Sequence, residues 1–181
     1  PNDIQGFSGG VQTDKYILQD SVIEYQIRFQ NTGTETAINV RIENTLPPNV
    51  NINKLEVLNS SHDYNLTLRN KNLVLTYPNI YLPDSIIDEP SSHGYFKYRI
   101  YANEDVDRGD EIYNQAEIYF DFNDPIVTNT VSNTVNDAFF IQNATCESFM
   151  AMVEIDCGPS PFYEYYDLIV IMEGGDPGTN G

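Results

Sequence analysis

The chain has 181 residues, with 9 Lys or Arg against 27 Asp or Glu and a formal net charge of −18. A surface of that sign repels phosphate backbones and anionic lipid, so nucleic acid and membrane surfaces are excluded as natural partners. Hydrophobic residues make up 40% of the chain, with 13 Tyr and no Trp. This is the composition of a folded body rather than a disordered one, and no apolar stretch exceeds five residues, far below the length of a membrane span.

Residues 1–14 are polar and Gly-rich and read as a leading loop lying along the fold. The abrupt start at Pro1 reads as a processed or excised piece of a longer precursor. Tyr16, Ile17 and Leu18 suggest a short first strand. In residues 22–30, Ile23, Tyr25, Ile27 and Phe29 alternate with polar neighbours, which is the period of a half-buried strand. Asn31, Thr32, Gly33 and Thr34 are turn residues. Ile38, Val40 and Ile42 then alternate with Asn39, Arg41 and Glu43, and the pairing ends at Pro47 and Pro48, which have no N–H for a ladder. The whole stretch reads as strand, turn, strand.

Residues 53–58 and 64–69 are two more short strands, the second joined through Asn70, Lys71 and Asn72 to residues 73–77 in a hairpin. Residues 81–92 read as a long surface loop. Residues 95–102 alternate again, with Phe96, Tyr98 and Ile100 on one face. Residues 104–110 are an acidic loop closed by Gly109. Residues 111–122 read as the longest strand, with Ile112, Ala116, Ile118 and Phe120 on one side, and residues 127–135 as a further strand carrying Val127, Val131 and Val135. Strand after strand at regular spacing, with no helical period, implies an all-β fold: an antiparallel β-sandwich over residues 1–135.

From residue 136 the texture changes. Residues 138–142, 146–157 and 162–172 are strand-like and apolar, and 136–181 is short for a core of its own. It reads as a strand-rich C-terminal extension that either adds strands to the first domain or completes a neighbour by strand addition. Both cysteines lie here. Cys146 and Cys157 suit one disulfide across a hairpin and lack the spacing and the further ligands of a zinc site.

Several blocks then align with a known pattern: PND at 1–3, YQIRFQNTGT at 25–34, A-x-NV-x-I at 37–42, VLNSSHDY at 57–64, PNIYLPDS at 78–85, EPSSHGYFKYRI at 89–100 and IYFDFNDPIVTNTV at 118–131. In this order they resemble a repeat domain of secreted Bacteroidota surface proteins, which often precedes a type IX secretion sorting domain and is similar to immunoglobulin-like bacterial surface repeats. The resemblance covers residues 1–135. It implies export, an extracellular or cell-surface location and a structural or adhesive role, and it brings no catalytic residues. Ile4 departs from the Lys usual after PND, and the extension does not resemble the sorting domain.

The candidate sites are few. Asp20-Ser21-Val22 and Asp84-Ser85-Ile86 match the Asp-Ser/Thr-apolar pattern similar to Bacteroidota O-glycosylation sites, which makes Ser21 and Ser85 candidate attachment points. Asn59, Asn65 and Asn143 head N-glycosylation sequons in form. Asp121, Asn123 and Asp124, with Asn2 and Asp3, offer hard oxygen ligands for Ca²⁺; the competing reading is an Asx turn before Pro125. Asn103, Asp105, Asp107 and Gly109 approach an EF-hand loop but lack its twelfth-position Glu, so they read as a solvated turn. A Ser-His-Asp triad could be drawn from Ser92, His93 and Asp88, but they are sequence neighbours in a Pro-rich loop without a nucleophile elbow. A Lys–Asn isopeptide bond would draw on Lys15 or Lys97, Asn114 or Asn129, and Glu117. The sequence thus favours a non-catalytic structural module, a fibre subunit or adhesin stalk that associates with its own kind or with neighbouring repeats and requires no cofactor. The alternative is a carbohydrate- or protein-binding adhesion module, with Tyr163, Tyr165 and Tyr166 available to stack on a glycan.

Overall fold

The computed structural model describes residues 1–8, 16–17 and 21–135. These lie in the first of two compact units of the chain, Pro1–Ala138. The extension at 136–181 and the proposed Cys146–Cys157 disulfide fall outside the described residues.

Among the described residues there are twelve strands: β1 (Asp3–Ser8), β2 (Tyr16–Ile17), β3 (Val22–Gln30), β4 (Val40–Thr45), β5 (Val50–Ser60), β6 (Asn65–Arg69), β7 (Asn72–Tyr77), β8 (His93–Ala102), β9 (Glu111–Asn114), β10 (Glu117–Phe120), β11 (Ile126–Val127) and β12 (Val131–Val135). One 3₁₀ turn, Pro90–Ser92, precedes β8. The strands form a four-stranded sheet in the order β1-β3-β8-β5, a five-stranded sheet in the order β11-β10-β4-β7-β6, and a three-stranded sheet in the order β2-β12-β9. All pairings are antiparallel except β2 with β12. The fold is the all-β antiparallel sandwich that the alternation implied, of the immunoglobulin-like class that the resemblance implied.

The core follows from period two. Along β3 every second side chain, Ile23, Tyr25, Ile27 and Phe29, is fully buried. Along β8, Phe96, Tyr98 and Ile100 do the same, and Val40, Ile42, Leu73, Leu75, Tyr77 and Ile118 face them from the five-stranded sheet. Each such side chain contributes about 1.5–3 kcal/mol by leaving water. Phe29 lies opposite Gly94 in the β3–β8 register, and its ring occupies the space that a Cβ at Gly94 would need.

Five sequence expectations are corrected. Residues 1–14 do not form only a loop: Asp3–Ser8 is an edge strand in register with β3. Residues 22–30 and 40–45 are not partners in a hairpin, because β3 pairs with β1 and β8 while β4 pairs with β7 and β10. Both strands have one apolar face, so local alternation suits a hairpin and a sandwich equally. The connection at 31–39 crosses from one sheet to the other, and Ile38 lies in it, 47% exposed rather than inward. Residues 111–122 are two strands in two sheets, β9 and β10. At the break Ala116 takes its bonds from Thr128 instead of a ladder: Ala116 N–H donates to Thr128 Oγ1 at 3.0 Å and Thr128 N–H donates to the Ala116 carbonyl at 2.9 Å. Residues 127–135 are likewise split, leaving Val127 exposed at the end of β11.

Candidate functional site

Three loops, 31–39, 78–92 and 121–125, gather at one end of the sandwich, and side chains tie them. Asn31 is buried. Its Nδ2 donates to the carbonyls of Glu35 (2.8 Å) and Leu82 (2.9 Å), its Oδ1 accepts the Gly33 N–H (3.0 Å), and its backbone bonds Ser92 and Ser85. Asp121, at φ 53°, receives the Ile38 and Asn39 N–H groups at 3.1 and 2.7 Å. Asn39 Oδ1 in turn accepts the Asn79 N–H at 3.1 Å. Asp84 is buried and accepts the N–H groups of Ile86 and Ile87 through Oδ1. Each side chain satisfies backbone groups that a loop leaves without a ladder.

The N-terminal residues reach the same end. Asn2 exchanges two hydrogen bonds with the Gln30 backbone, at 2.9 and 3.1 Å. Asp3 forms an ion pair with Arg28, whose Nε donates to Asp3 Oδ1 at 2.7 Å. That hydrogen bond holds the Asp3 carboxyl below its usual range. Further along, the Asn129 amide acts as a one-residue strand, accepting the Ile4 N–H at 3.1 Å and donating to the Ile4 carbonyl at 3.0 Å.

With their backbones fixed, these loops present Ile38, Tyr81, Ile86, Ile87 and Phe122 to solvent, Phe122 completely. This apolar end face is the candidate contact site of the described residues. Sequence reasoning missed it because Ile38 had been placed inward and Phe122 at the end of an unbroken strand. The turn signal of Asn123, Asp124 and Pro125 was the one clue that the strand stops short.

A second polar arrangement lies in the core, where the three sheets meet. The Tyr98 hydroxyl donates to Asn44 Oδ1 at 2.6 Å. Asn44 Nδ2 donates to Asn114 Oδ1 at 2.6 Å and to the Gln115 carbonyl at 2.7 Å. Asn114 Nδ2 donates back to the Tyr98 oxygen at 2.8 Å. The closed ring joins β8, β4 and β9, one strand from each sheet. Burial pushes the Tyr98 hydroxyl well above its ordinary pKa and Tyr77 up to about 12. The Tyr25 hydroxyl stands beside Asn114 without a well-formed hydrogen bond, and burial raises it too. These groups are locked neutral and serve the fold.

The remaining sequence candidates separate. Ser92 Oγ donates to the Glu89 carbonyl (2.7 Å), His93 Nε2 meets Glu89 Oε1 (2.8 Å), and Asp88 Oδ1 accepts the Ser91 N–H (3.2 Å), so these three do not form a triad. Lys97 Nζ pairs with Glu24 on the outer face at 2.7 Å, Asn114 sits in the core ring, Asn129 binds Ile4, and Glu117 accepts from the Tyr119 hydroxyl at 2.6 Å. The isopeptide set is not assembled among the described residues, and Lys15 lies outside them. Asp121 and Asp3 spend their oxygens on backbone N–H groups and on Arg28 respectively, and no three His, Cys, Asp or Glu side chains converge among the described residues. In the acidic loop the Asp107 N–H donates to Asp110 Oδ2 at 3.0 Å, an ordinary turn. Ser21 and Ser85 are both half-buried and lie at opposite ends, Ser21 accepting the Ala102 N–H on its carbonyl and Ser85 donating its N–H to the Asn31 carbonyl.

The residues that carry these clamps, Asn2, Asn31, Asn39, Asn79, Asp121 and Asn129, fall in the sequence blocks quoted above. A family pattern described as "Domain of unknown function (DUF7619)" matches residues 1–134. The chain belongs to the DUF7619 family. No curated protein matches it in sequence. In structure this DUF7619 chain is similar to the Corynebacterium diphtheriae major pilin SpaA (10% identity, TM-score 0.48, covering 72% of this chain and 37% of that one). It is similar also to the Bacillus cereus major pilin subunit BcpA (15% identity, TM-score 0.46, covering 73% and 39%). A third similar structure is the collagen-binding domain from a Staphylococcus aureus adhesin (11% identity, TM-score 0.40, covering 74% and 97%). The chain therefore spans less than two fifths of each of the two pilins.

Proposed function

We propose that this DUF7619 chain is a non-catalytic structural module of a bacterial surface protein, a fibre subunit or adhesin stalk. It acts outside the cell and joins its neighbour through β-strand addition by residues 136–181. The observation that carries this reading is the path of the chain. It enters at Asn2, bonded to Gln30 beside the clamped loops. It leaves β12 at Val135, whose backbone bonds Asp110 and Gly109 at the far end. A domain entered at one end and left at the other transmits tension along its strands and repeats in line. In keeping with the sequence resemblance, the parent protein is a secreted Bacteroidota protein exported by type IX secretion, with Ser21 and Ser85 as O-glycan attachment points; a hexose-sized excess in the mass of native material, mapped to either serine, tests the modification. Negative-stain electron microscopy and sedimentation velocity of the full chain test the function. Regular linear assemblies support it; dispersed monomers at all concentrations overturn it.

The exposed end face favours a second reading, an adhesion module that binds a protein or glycan there. Saturable binding to an extracellular-matrix protein or a glycan array, lost in Phe122→Ser, distinguishes it from the first.

A further inference from the structure

The margins of the three sheets differ in how they treat unpaired backbone. β1 is sealed by the Asn129 amide, which takes both polar groups of Ile4. β11 and β2 are two residues long, and β11 follows Pro125. β9 has four residues and opens on Glu111. β5 is long, but its register against β8 shifts between Asn51 and Glu56 and again between Val57 and Asn59, and it projects Lys54. Short strands, bulges, charge and side-chain cover are the standard protections of an edge. Among the described residues β6 has no bulge and no side-chain cover, and its one charge, Arg69, stands at its end. Asn65–Arg69 runs in unbroken register with β7, contains neither Pro nor an acidic residue, and ends the five-stranded sheet.

The polarity of that edge follows from its turn. Arg69 and Asn72 flank two residues at positive φ, Asn70 (47°) and Lys71 (67°), so they close a two-residue turn as a hydrogen-bonded pair. Alternation then directs the N–H and C=O groups of Leu66 and Leu68 outward, away from β7. Their side chains point to the core but are only half-buried. Four residues, 61–64, connect β5 to β6, which keeps the two on one flank, where Leu55 and Val57 of β5 are also half-covered. The flank is a bare ladder edge above an unfinished apolar floor.

We infer that β6 is the acceptor edge for the segment at residues 149–155 of a second copy of this chain, which lies along it as a sixth strand of the five-stranded sheet. The inference rests on the assembly reading above and names its contact. The segment reads Phe-Met-Ala-Met-Val-Glu-Ile, so Phe149, Ala151, Val153 and Ile155 share one face with the period of a strand. That face matches Leu66, Leu68, Leu55 and Val57. Charge agrees: residues 136–181 contain eight acidic residues and no Lys or Arg, while Arg69 and Lys71 stand at the end of β6. The second copy is the donor because the assembly reading above joins one copy to the next through residues 136–181, and a chain that capped its own edge would show as links that never mix labels.

The test places a photo-crosslinking amino acid at position 67 of the full chain, on the solvent face of β6. Nitrogen-15-labelled and unlabelled chains are mixed in equal amounts before irradiation. The expected result is a crosslinked dimer whose joined peptides map to position 67 and to residues 146–158. About half of these crosslinks should pair one labelled with one unlabelled peptide, as random exchange requires. Crosslinks to the same segment that never mix labels would mean the chain caps its own edge and would overturn the inference. Links elsewhere, or none, overturn it as well. Sedimentation of the same samples separates the two levels: assemblies that persist without a link at position 67 leave the fibre reading standing and refute β6 alone.

Discussion

The two flanks of the sandwich solve one problem in opposite ways. At β1 the chain covers its last ladder with side chains: Asn2 on Gln30, Arg28 with Asp3, and Asn129 on Ile4. At β6 nothing among the described residues covers the backbone of Leu66 and Leu68. Both edges pair inward over five or six residues, so their strand-forming tendency is similar. What separates them is the side-chain cover at β1, above all the Asn129 amide that tertiary structure sets against Ile4. An edge is thus closed or open by choice of a few polar residues, not by strand propensity.

Breaking the common centre has the largest effect. Gly94→Ala puts a methyl group against the Phe29 ring in the β3–β8 pair that both flanks depend on. It should lower stability by about 3 kcal/mol, read as a fall in the urea midpoint, because an overfilled core must push the ring off its rotamer. Asn129→Ala unseals the closed flank. Losing two bonds to Ile4 should cost about 2 kcal/mol and should raise the amide exchange rate of Ile4 selectively, making β1 resemble β6. If Ile4 exchange is unchanged, the side chain is not the seal.

Titration separates centre from margin. Tyr77 is raised to about 12 by burial, and Tyr25 and Tyr98 are raised as well, so the fold favours their neutral forms. A raised folded pKa gives stability that is complete below the unfolded value near 10 and lost as pH climbs through the folded one. Alkaline unfolding should therefore begin above about pH 10, with buried tyrosinate absorbance appearing together with loss of strand circular dichroism. Asp3 and Glu24 are lowered, chiefly by hydrogen bonds from Arg28 and Lys97. Their contribution is present above the ordinary carboxylate range and fades as pH falls below about 4, and it is small because both pairs are partly solvated. Asp3→Asn should flatten part of that acid slope while Thr67→Val on the open flank leaves it unaltered. The smallest expected effect is Thr67→Glu, which sets a like charge on β6 against the acidic residues of 136–181. Chain stability should stay within about 0.5 kcal/mol while the sedimenting assemblies shrink.

Much of this architecture was legible in the sequence. Alternation is a local property of a strand, so β3, β7 and β8 and the turn between β6 and β7 could be read from neighbouring residues alone. The blocks that marked the family also marked the clamps, although Asn31 and Asp121 looked only like turn residues. The end face was not legible: Phe122 is apolar, and nothing local says that Asp121, at positive φ, turns it out to water.

The sequence by itself determined that this protein is built of strands, which residues of β3 and β8 face inward, and where the chain turns. It did so because period two and turn chemistry act over a few residues. Only the tertiary structure decided that residues 22–30 and 40–45 belong to different sheets, that residues 111–122 change sheet at Ala116, and that Asn44, Asn114 and Tyr98 close a ring. Those outcomes depend on partners tens of residues away, as with Asn44 and Asn114, 70 positions apart. Backbone hydrogen bonding accepts many partners equally, and only the packed core selects one.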